Sequence, residues 1–308
     1  MSKNVESKDM DSIAIKQFKL SDIADHAAIM MIAKRKCGKS WIVKAIMHHH
    51  GAKFDAGIVI SPTDRMNKFY NDFVPDAYIY YQFDGKIVKK ILQRQIIIME
   101  KAKERAKVGK RTNTKVFMIM DDCLADKGNW AKDPMISELL FNGRHYHITY
   151  ILTMQYPLGI KPELRANFDY IFLLADSGFS NQKRIFEHYA GIFPNFEAFR
   201  TVFMQLTVDY GCMVLTNGDN KSNLFDVVMY YKAPDLTTTP ITIGGRQYNK
   251  FHKDNYNPKW MLENSMFAGG MDERLGKDNL KKNKLIVRKL HNDDDDDDKR
   301  GRGSRRTY

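Results

Sequence analysis

A glycine, a lysine and a serine follow one another at residues 38–40, at the end of the segment 33–40, which reads AKRKCGKS. The apolar residues 27–32 before this segment are typical of a buried strand, and residues 41–47 after it have helical periodicity. A strand, a loop and a helix in this order are the setting of a phosphate-binding loop, or Walker A motif. The pattern therefore predicts a nucleotide site; a basic turn between a strand and a helix is the alternative.

In such a loop the backbone N–H groups and the amino end of the helix surround the β-phosphate. Lys39 would reach the β- and γ-phosphates, and the hydroxyl of Ser40 would hold Mg²⁺. The usual first glycine is Ala33 here, which the loop tolerates where φ is negative, because only positive φ penalises a Cβ atom. The residues expected to contact ATP are consecutive: Ala33, Lys34, Arg35, Lys36, Cys37, Gly38, Lys39, Ser40 and Trp41.

A second motif is the apolar segment Val116–Met120, which runs directly into the carboxylates of Asp121 and Asp122. A strand that ends in a carboxylate completes the Mg²⁺ shell of a phosphate-binding loop. Asp121 would hold the metal through its water shell, because Mg²⁺ keeps most of its waters in proteins. Asp122 would orient the attacking water as a general base. The alternative is an ordinary surface turn at the end of a strand.

A third motif surrounds the apolar strand predicted at Ile148–Thr153. Gln155 follows its carboxyl end, the edge at which open α/β sheets place ligands, where an amide can contact a γ-phosphate or its water. Arg144 precedes the strand and therefore lies towards the opposite edge. From there it could reach the ATP of a neighbouring subunit in a ring, as an arginine finger acting in trans. The alternative for Arg144 is a cation at the carboxyl end of a helix.

Together these motifs resemble the FtsK–HerA superfamily of ring translocases, and specifically the genome-packaging ATPases of nucleocytoplasmic large DNA viruses. The resemblance covers roughly residues 25–235. The segments that carry it are 33–40, 57–63 (GIVISPT), 121–122, 143–155 (GRH followed by TMQ), 162–170 (PELRANFDY) and 227–233 (VVMYYKA).

The resemblance implies an oligomeric ring that hydrolyses ATP with Mg²⁺ and drives DNA into a capsid. In that superfamily a polar sensor follows the fourth core strand and an arginine finger precedes it; these roles transfer to Gln155 and Arg144. Arg165 is a second finger candidate, whose alternative is a structural ion pair, for example with Asp169. Lys39 and Asp122 complete the catalytic set, although the superfamily more commonly has glutamate at the position of Asp122.

Continuous apolar strands that alternate with helical segments predict an α/β fold with a mostly parallel sheet between helices. We expect a lead-in at 1–25, an ATPase core at 26–235 and a charged extension at 236–308, with a disordered tail at 291–308. The other predicted elements are strands at Ile13–Phe18, Phe54–Ser61, Tyr78–Phe83 and Phe168–Leu174, helices at Lys86–Ala106 and within 179–210, a hairpin of Cys212–Thr216 with Phe225–Tyr231, and a small strand at Thr237–Ile243.

The charge balance favours a polyanionic partner. The 308 residues carry a net charge of +12, with a pI near 9.4. DNA held by its backbone, without sequence readout, fits this balance. The candidate contacts are the basic helix residues Lys86, Lys89, Lys90 and Arg94 and the segment 101–111.

No apolar segment is long enough for a bilayer-spanning helix, and the polar first residues are not typical of a signal peptide. We therefore expect no membrane insertion. The three well-separated cysteines, Cys37, Cys123 and Cys212, indicate a reducing compartment. These features suit the virion or the host cytoplasm, with capsid or inner-membrane proteins of the virion as further partners.

Two other functions stay open from the sequence, beside a minor one raised by Ala33, a catalytically inactive DNA-binding relative. One is a cellular or plasmid DNA pump of the same superfamily. The other is a P-loop nucleotide switch or a kinase that is not a motor; a kinase would have its arginines in cis. DNA-stimulated hydrolysis and association with empty capsids distinguish these alternatives from a packaging motor.

Overall fold

In a computed structural model, residues 14–123, 130–218 and 223–260 are described. The strands in this part of the chain are β1 (Lys16–Gln17), β2 (Ala28–Ile32), β3 (Ala56–Ile60), β4 (Ile79–Tyr80), β5 (Val116–Asp121), β6 (Ile148–Met154), β7 (Tyr170–Leu174), β8 (Gly211–Thr216) and β9 (Val228–Lys232). The α-helices are α1 (Lys39–His50), α2 (Asp64–Asn67), α3 (Gly85–Lys107), α4 (Pro134–Asn142), α5 (Pro162–Arg165), α6 (Phe179–Tyr189), α7 (Phe196–Leu206), α8 (Leu224–Val227) and α9 (Arg246–Asn255).

The strands form one sheet in the order β1-β9-β8-β7-β2-β6-β5-β3-β4. Every neighbouring pair is parallel except the two that include β8. The predicted α/β class with a mostly parallel sheet is therefore confirmed. β2 lies between β7 and β6, and its register pairs Ile32 with Met154 of β6. Asp121 of β5 in turn pairs with Thr153 of β6. The carboxyl ends of β2, β6 and β5 consequently meet at one edge of the sheet, which we call the carboxyl edge.

Both faces of the sheet are covered, and this explains why β2 is apolar throughout. Along β2, Ile29 and Met31 belong to the core that includes α1, whereas Met30 and Ile32 belong to the core that includes α3 and α4. Side chains alternate between the faces of a strand, so two buried faces require a continuous apolar run.

The long helices begin at side-chain caps that the sequence provides. The carboxylate of Asp84 accepts a hydrogen bond from the amide of Lys86 at the start of α3. Asp133 caps α4 in the same way, with Pro134 in the first turn, where its missing N–H costs no helical hydrogen bond. These caps fix where each helix leaves the sheet.

Three predicted elements are wrong in detail. The helical stretch 179–210 is divided into α6 and α7, because Pro194 lacks an amide hydrogen. The start of the second hairpin strand is the short helix α8, whose cap Asn223 accepts from the amide of Phe225. The small strand predicted at Thr237–Ile243 is irregular chain instead; Pro240 cannot donate to a ladder, and the segment packs through its buried Ile243.

Residues on both sides of the predicted core 26–235 also pack onto it. The buried ring of Phe18 contacts Phe172 of β7 at a centroid distance of 5.6 Å. In α9 the ring of Tyr248 stacks on Tyr78 at 3.9 Å, and its hydroxyl donates to the carbonyl of Gly57 at 3.0 Å. Ordered packing therefore continues beyond residue 235. The predicted disordered tail 291–308 lies outside the described residues.

Candidate functional site

The segment 33–38 leaves the carboxyl end of β2 and enters α1 at Lys39. Ala33 is buried and donates its amide to the carbonyl of Met154 at 3.0 Å. It is not among the residues with positive φ, so the loop accepts alanine in place of the usual first glycine. Gly38 has φ +90°, a conformation that disfavours a side chain, and the ring of Tyr210 would lie 3.3 Å from a Cβ atom placed there.

The ammonium group of Lys39 lies between the two acids predicted for metal binding and catalysis. Its Nζ is 3.7 Å from Oδ1 of Asp121 and 3.2 Å from Oδ1 of Asp122. Lys39 is only 8% exposed. A buried cation is strongly attracted to two adjacent carboxylates, because the low local dielectric strengthens the electrostatic interaction. The last lysine of the phosphate-binding loop and the acid pair are therefore in direct contact.

Hydroxyl groups from two neighbouring strands orient the carboxylate of Asp121. The side chain of Ser61, just after β3, donates to Oδ2 at 3.4 Å, and Thr153 of β6 donates to Oδ1. These residues were missed in the sequence analysis, although both lie at the carboxyl end of a strand. They fix the direction in which Asp121 can present an oxygen.

The side chain of Gln155 donates to Oδ2 of Asp122, so the predicted sensor and the predicted base are in direct contact. Asp122 has φ +56°, and its amide donates to Oγ1 of Thr153 at 3.2 Å. A non-glycine residue in this left-handed region costs of order 1–3 kcal/mol and is held there by its surroundings. The backbone strain turns the second acid out of the strand direction towards Lys39 and Gln155.

An open cleft of about 1090 Å³ lies over the loop. The hydroxyl-bearing Ser40 lines it together with both acids, and Trp41 lines it with a partly exposed ring. The basic side of the loop also faces the cleft through Lys34, Arg35 and Lys36. Positive loop residues beside carboxylates suit a ligand that brings both phosphate and a divalent cation.

The loop is tied to the strand on its other side. Nζ of Lys34 lies 2.7 Å from Oδ1 of the buried Asp176, which follows β7. The thiol of Cys37 donates to the carbonyl of Ala175 at 3.4 Å. Burial, and secondarily the charge of Asp176, raises the pKa of Cys37 above its ordinary value, so the thiol stays protonated. The sequence analysis missed Asp176, whose position after a central strand is its only signal.

Arg144 lies at the opposite, amino edge of the sheet. It is exposed, and Nη2 donates to Oδ1 of Asp169 at 2.7 Å. The seven residues of β6 separate it from Gln155, a strand length of roughly 23 Å. Of the four predicted catalytic residues, the fold therefore brings together Lys39, Asp122 and Gln155 but leaves Arg144 apart.

The ion pair suggested between Arg165 and Asp169 is wrong, because Asp169 contacts Arg144 instead. Nε of Arg165 donates to the carbonyl of Ile160 at 3.0 Å, and its guanidinium lies over the ring of Tyr189 at 5.4 Å. Arg165, the second finger candidate, is therefore less exposed than Arg144.

Two further cavities open at the amino edge. One, of about 610 Å³, is lined by Arg144, Asp169 and His26 among others. The other, of about 530 Å³, lies between α3, α9 and the starts of β3 and β5; we call it the basic cleft. Its cationic lining residues are Lys90, Arg94, Lys101, Arg105 and Arg111.

Within the described ranges, no helix is both long and apolar enough to cross a membrane. The same residues contain no cluster of three histidine, cysteine or acidic side chains suited to a metal ion. The consecutive histidines 48–50 end α1, and His50 bonds through Nε2 to the carbonyl of Leu20 at 2.8 Å.

A mostly parallel sheet whose central strand leads through a glycine-lysine-serine loop into a helix, with paired acids ending the next strand but one, defines a P-loop NTPase. The chain belongs to the family described as Poxvirus A32 protein, whose model matches residues 15–188. The resemblance to proteins of nucleocytoplasmic large DNA viruses is thereby confirmed.

The similar proteins include viral relatives and distantly related solved structures. Protein L437 of Acanthamoeba polyphaga mimivirus is 45% identical over 244 residues, 79% of this chain and 84% of the relative. Protein 075L of Invertebrate iridescent virus 6 is 31% identical over 233 residues, 75% of this chain and 87% of the relative. Among solved structures, the pCW3 conjugation coupling protein TcpA has a TM-score of 0.50 at 12% identity, covering 68% of this chain and 60% of that one. That likeness concerns the fold alone.

Proposed function

We propose that this protein is an ATP-driven motor that moves viral DNA into capsids as a homo-oligomeric ring. The observation that carries the proposal is the contact of Lys39 with both Asp121 and Asp122 beside the phosphate-binding loop. Such a network has the groups required for phosphoryl chemistry: a cation for the phosphates, an acid for the metal and a second acid for water.

The residues present fit Mg-ATP. Lys39 is placed to exchange its carboxylate contacts for phosphate oxygens, and the Ser40 hydroxyl and Asp121 would hold Mg²⁺. The bound nucleotide supplies the phosphoanhydride bond that is broken. Asp122 then accepts a hydrogen bond from the attacking water, while the amide of Gln155 fixes the orientation of Asp122.

The placement of Arg144 supports a ring. An arginine roughly 23 Å along the sheet from Gln155 cannot reach the cleft of its own chain, whereas head-to-tail packing of subunits puts an amino edge against a neighbour's carboxyl edge. The arginine in trans would then stabilise charge that develops on the transferred phosphoryl group. Among the described residues that line the cleft, Arg35 is the arginine of the same chain, and it is the competing candidate in cis.

The basic cleft supports DNA as the polyanionic partner. Five cations line it, whereas the acid in its lining is Asp55, which pairs with Arg94 at 2.9 Å. Lys101 and Arg105 lie one helical turn apart and are exposed. From Lys90 to Arg105 the helix rises about 22 Å, the length over which one DNA strand presents about six phosphates. Lys86 and Lys89, also candidates from the sequence, do not line this cleft.

ATP hydrolysis by the full chain, measured with and without duplex DNA, tests the proposal. We expect DNA to raise turnover, and Lys39→Ala to lower it by roughly 10²–10³-fold or more. Lys183→Ala, at an exposed position of α6, is the matched control and should leave turnover unchanged.

Turnover that needs Lys39 but ignores DNA would indicate a P-loop switch or kinase instead of a motor. Binding to DNA without association with empty capsids would favour a cellular or plasmid type of pump. The mass in solution with bound nucleotide tests the ring directly, and a strict monomer would exclude it.

A further inference from the structure

An exposed aromatic side chain lies at the mouth of the nucleotide cleft. Tyr210 directly precedes β8, is 64% exposed and lines the cleft. Its ring reaches within 3.3 Å of where a Cβ atom would stand on Gly38, one residue before Lys39. The ring packs over Gly38 of the phosphate-binding loop, and most of its surface stays open to solvent.

The backbone that presents this ring is strained. Asp209 and Tyr210 are consecutive non-glycine residues with φ of +52° and +61°. Side chains rarely adopt this left-handed region, and such strain tends to collect at sites that clamp a ligand.

Neighbouring contacts hold the turn in place. Asp209 forms an ion pair with Lys232 at the end of β9. Gly211 passes so close to the preceding helix that a Cβ atom there would meet the carbonyl oxygen of Leu206 at 2.4 Å. The position of the Tyr210 ring is therefore imposed by the fold and is not an accident of a loose loop.

The order of the strands indicates which end of a nucleotide reaches Tyr210. The γ-phosphate end is marked by Asp122 and Gln155, which follow β5 and β6 on one side of β2. The strand order puts β8 and β9 on the other side of β2, beyond β7. Because β8 is antiparallel to both β7 and β9, the start of β8 and the end of β9 lie at the carboxyl edge. A nucleotide whose terminal phosphate faces Asp122 therefore extends its base towards Tyr210. Ala233, Pro234, Asp235 and Thr237 line the same part of the cleft.

Trp41 is the competing aromatic side chain. Its ring packs edge-on against Phe69 at 6.4 Å, and Nζ of Lys44 lies 5.4 Å from its centroid. Phe69 follows β3, on the same side of β2 as the acids. Trp41 therefore already has partners and lies on the side of the terminal phosphate, away from where the base would fall.

We infer that Tyr210 is the stacking surface of a base subsite, which it forms with Ala233, Pro234, Asp235 and Thr237, and that the ligand is the heterocyclic base of a nucleoside triphosphate. This inference rests on the proposed nucleotide-binding function. Stacking on an aromatic face does not select one base over another, because every base presents a π-face. The subsite therefore distinguishes a nucleotide from a bare polyphosphate.

Binding at this subsite can be distinguished from binding at the phosphate site by comparing two ligands, Mg-ATP and inorganic tripolyphosphate with Mg²⁺. The affinity of the full chain for each is measured by calorimetric titration. For Tyr210→Ala we expect ATP affinity to fall roughly 10- to 100-fold, while tripolyphosphate affinity stays unchanged. Tyr210→Phe should keep both affinities, since the ring and not the hydroxyl provides the stacking surface. Val208→Ala, at a neighbouring exposed position that does not line the cleft, is the control.

Tyr210→Gly distinguishes the effect of removing the ring from the effect of relieving the backbone strain. Glycine accepts positive φ, so thermal stability should rise while ATP affinity falls as in Tyr210→Ala. A Tyr210→Ala variant that binds both ligands as the parent does, or loses both equally, would overturn the inference, as would a selective loss of ATP in Trp41→Ala alone. Failure of tripolyphosphate to bind the parent chain, or binding that does not need Lys39, would instead count against the proposed function.

Discussion

The two edges of the sheet differ in the burial and pairing of their charged side chains. At the carboxyl edge Lys39, Asp121 and Asp122 are in mutual contact and largely buried, and Gln155 adds a hydrogen bond. At the amino edge the cations lie on the surface, and those that are paired have acidic partners of the same chain, as Arg144 has with Asp169. The first edge therefore carries a connected and largely buried network, whereas the second presents exposed cations.

The free energies of the ion pairs explain this difference. Exposed pairs contribute about 0–1 kcal/mol, because water screens the charges and two long side chains must be ordered. Arg144 and Arg94 can therefore exchange their acids for a phosphate at little cost. Removing one member of a buried network costs about 3–5 kcal/mol, since an unpaired charge remains in a low dielectric. Lys39 will leave its acids only for a ligand that brings both negative charge and a metal ion.

The largest effects are expected where the carboxyl edge is broken. Asp121→Asn should lower ATP turnover roughly 10²–10³-fold and raise the Mg²⁺ concentration needed for nucleotide binding, because a neutral amide holds the metal poorly. Asp122→Asn should lower turnover similarly but leave Mg-ATP affinity intact, since the proposed role of Asp122 is to orient the attacking water and not to hold the metal. Hydrolysis rates and Mg²⁺ titrations of nucleotide affinity measure both. Equal Mg²⁺ requirements in the two variants would show that the roles of the acids are not separate.

In the proposed ring, the amino edge should be as important for turnover as the carboxyl edge. Arg144→Ala should lower hydrolysis by about 10³-fold, within the range known for arginine fingers, and spare ATP binding. Mixing it with Lys39→Ala subunits should restore part of the activity, because each variant supplies the edge that the other lacks. Arg165→Ala tests the second finger candidate and should have little effect, because its guanidinium is held over Tyr189. Mixed rings without recovery, together with loss of activity in Arg35→Ala, would assign the finger in cis.

A smaller effect is expected at the basic cleft. The double variant Lys101→Gln/Arg105→Gln should weaken DNA binding and lower the slope of log affinity against log salt by about 2, because two DNA phosphates are no longer neutralised by the protein. Lys89→Gln/Lys103→Gln removes the same charge from α3 outside the cleft lining and should keep the slope. Fluorescence anisotropy with a duplex at several salt concentrations measures both. Equal slopes in the two variants would indicate that only net charge matters.

The smallest effect concerns stability at the amino edge. His26 stacks on His147 at 4.5 Å, beside the ion pair of Asp25 with Lys115. Burial, and then His147, lowers the pKa of His26 below its ordinary value of 6.5. The unfolded chain therefore binds the proton first as the pH falls, and the free energy of unfolding decreases from about pH 6.5 downwards.

His26→Asn should make this loss shallower, by roughly 1–2 °C in Tm between about pH 7.5 and 5. Asparagine tolerates the φ of +63° at this position, so the backbone is kept. His50 and His252, whose pKa values burial also lowers, should maintain the rest of the pH dependence. Thermal melts across this range are the measurement, and identical pH profiles would contradict the assignment to His26.

Much of the carboxyl edge could be predicted because its residues follow strands directly. In a parallel sheet such positions converge, so apolar segments running into Asp121, Asp122 and Gln155 were enough to place those residues near Lys39. Ser61 and Thr153 were missed, since a hydroxyl at a strand end has no distinctive pattern until its partner is known. The partner of Arg165 was predicted wrongly for the same reason: proximity in sequence to Asp169 does not decide which side chain reaches it.

The sequence by itself determined the fold class, the phosphate-binding loop and the acid pair, because periodicity and motif spacing are local properties. Only the tertiary structure decided that Asp169 is the partner of Arg144, that Lys101 and Arg105 share a cleft with α9, and that Tyr210 stands over Gly38. These are distances between segments far apart in the chain, and they depend on strand order and helix packing. No local pattern contains them, because the free energy that fixes strand order is spread over the whole buried core.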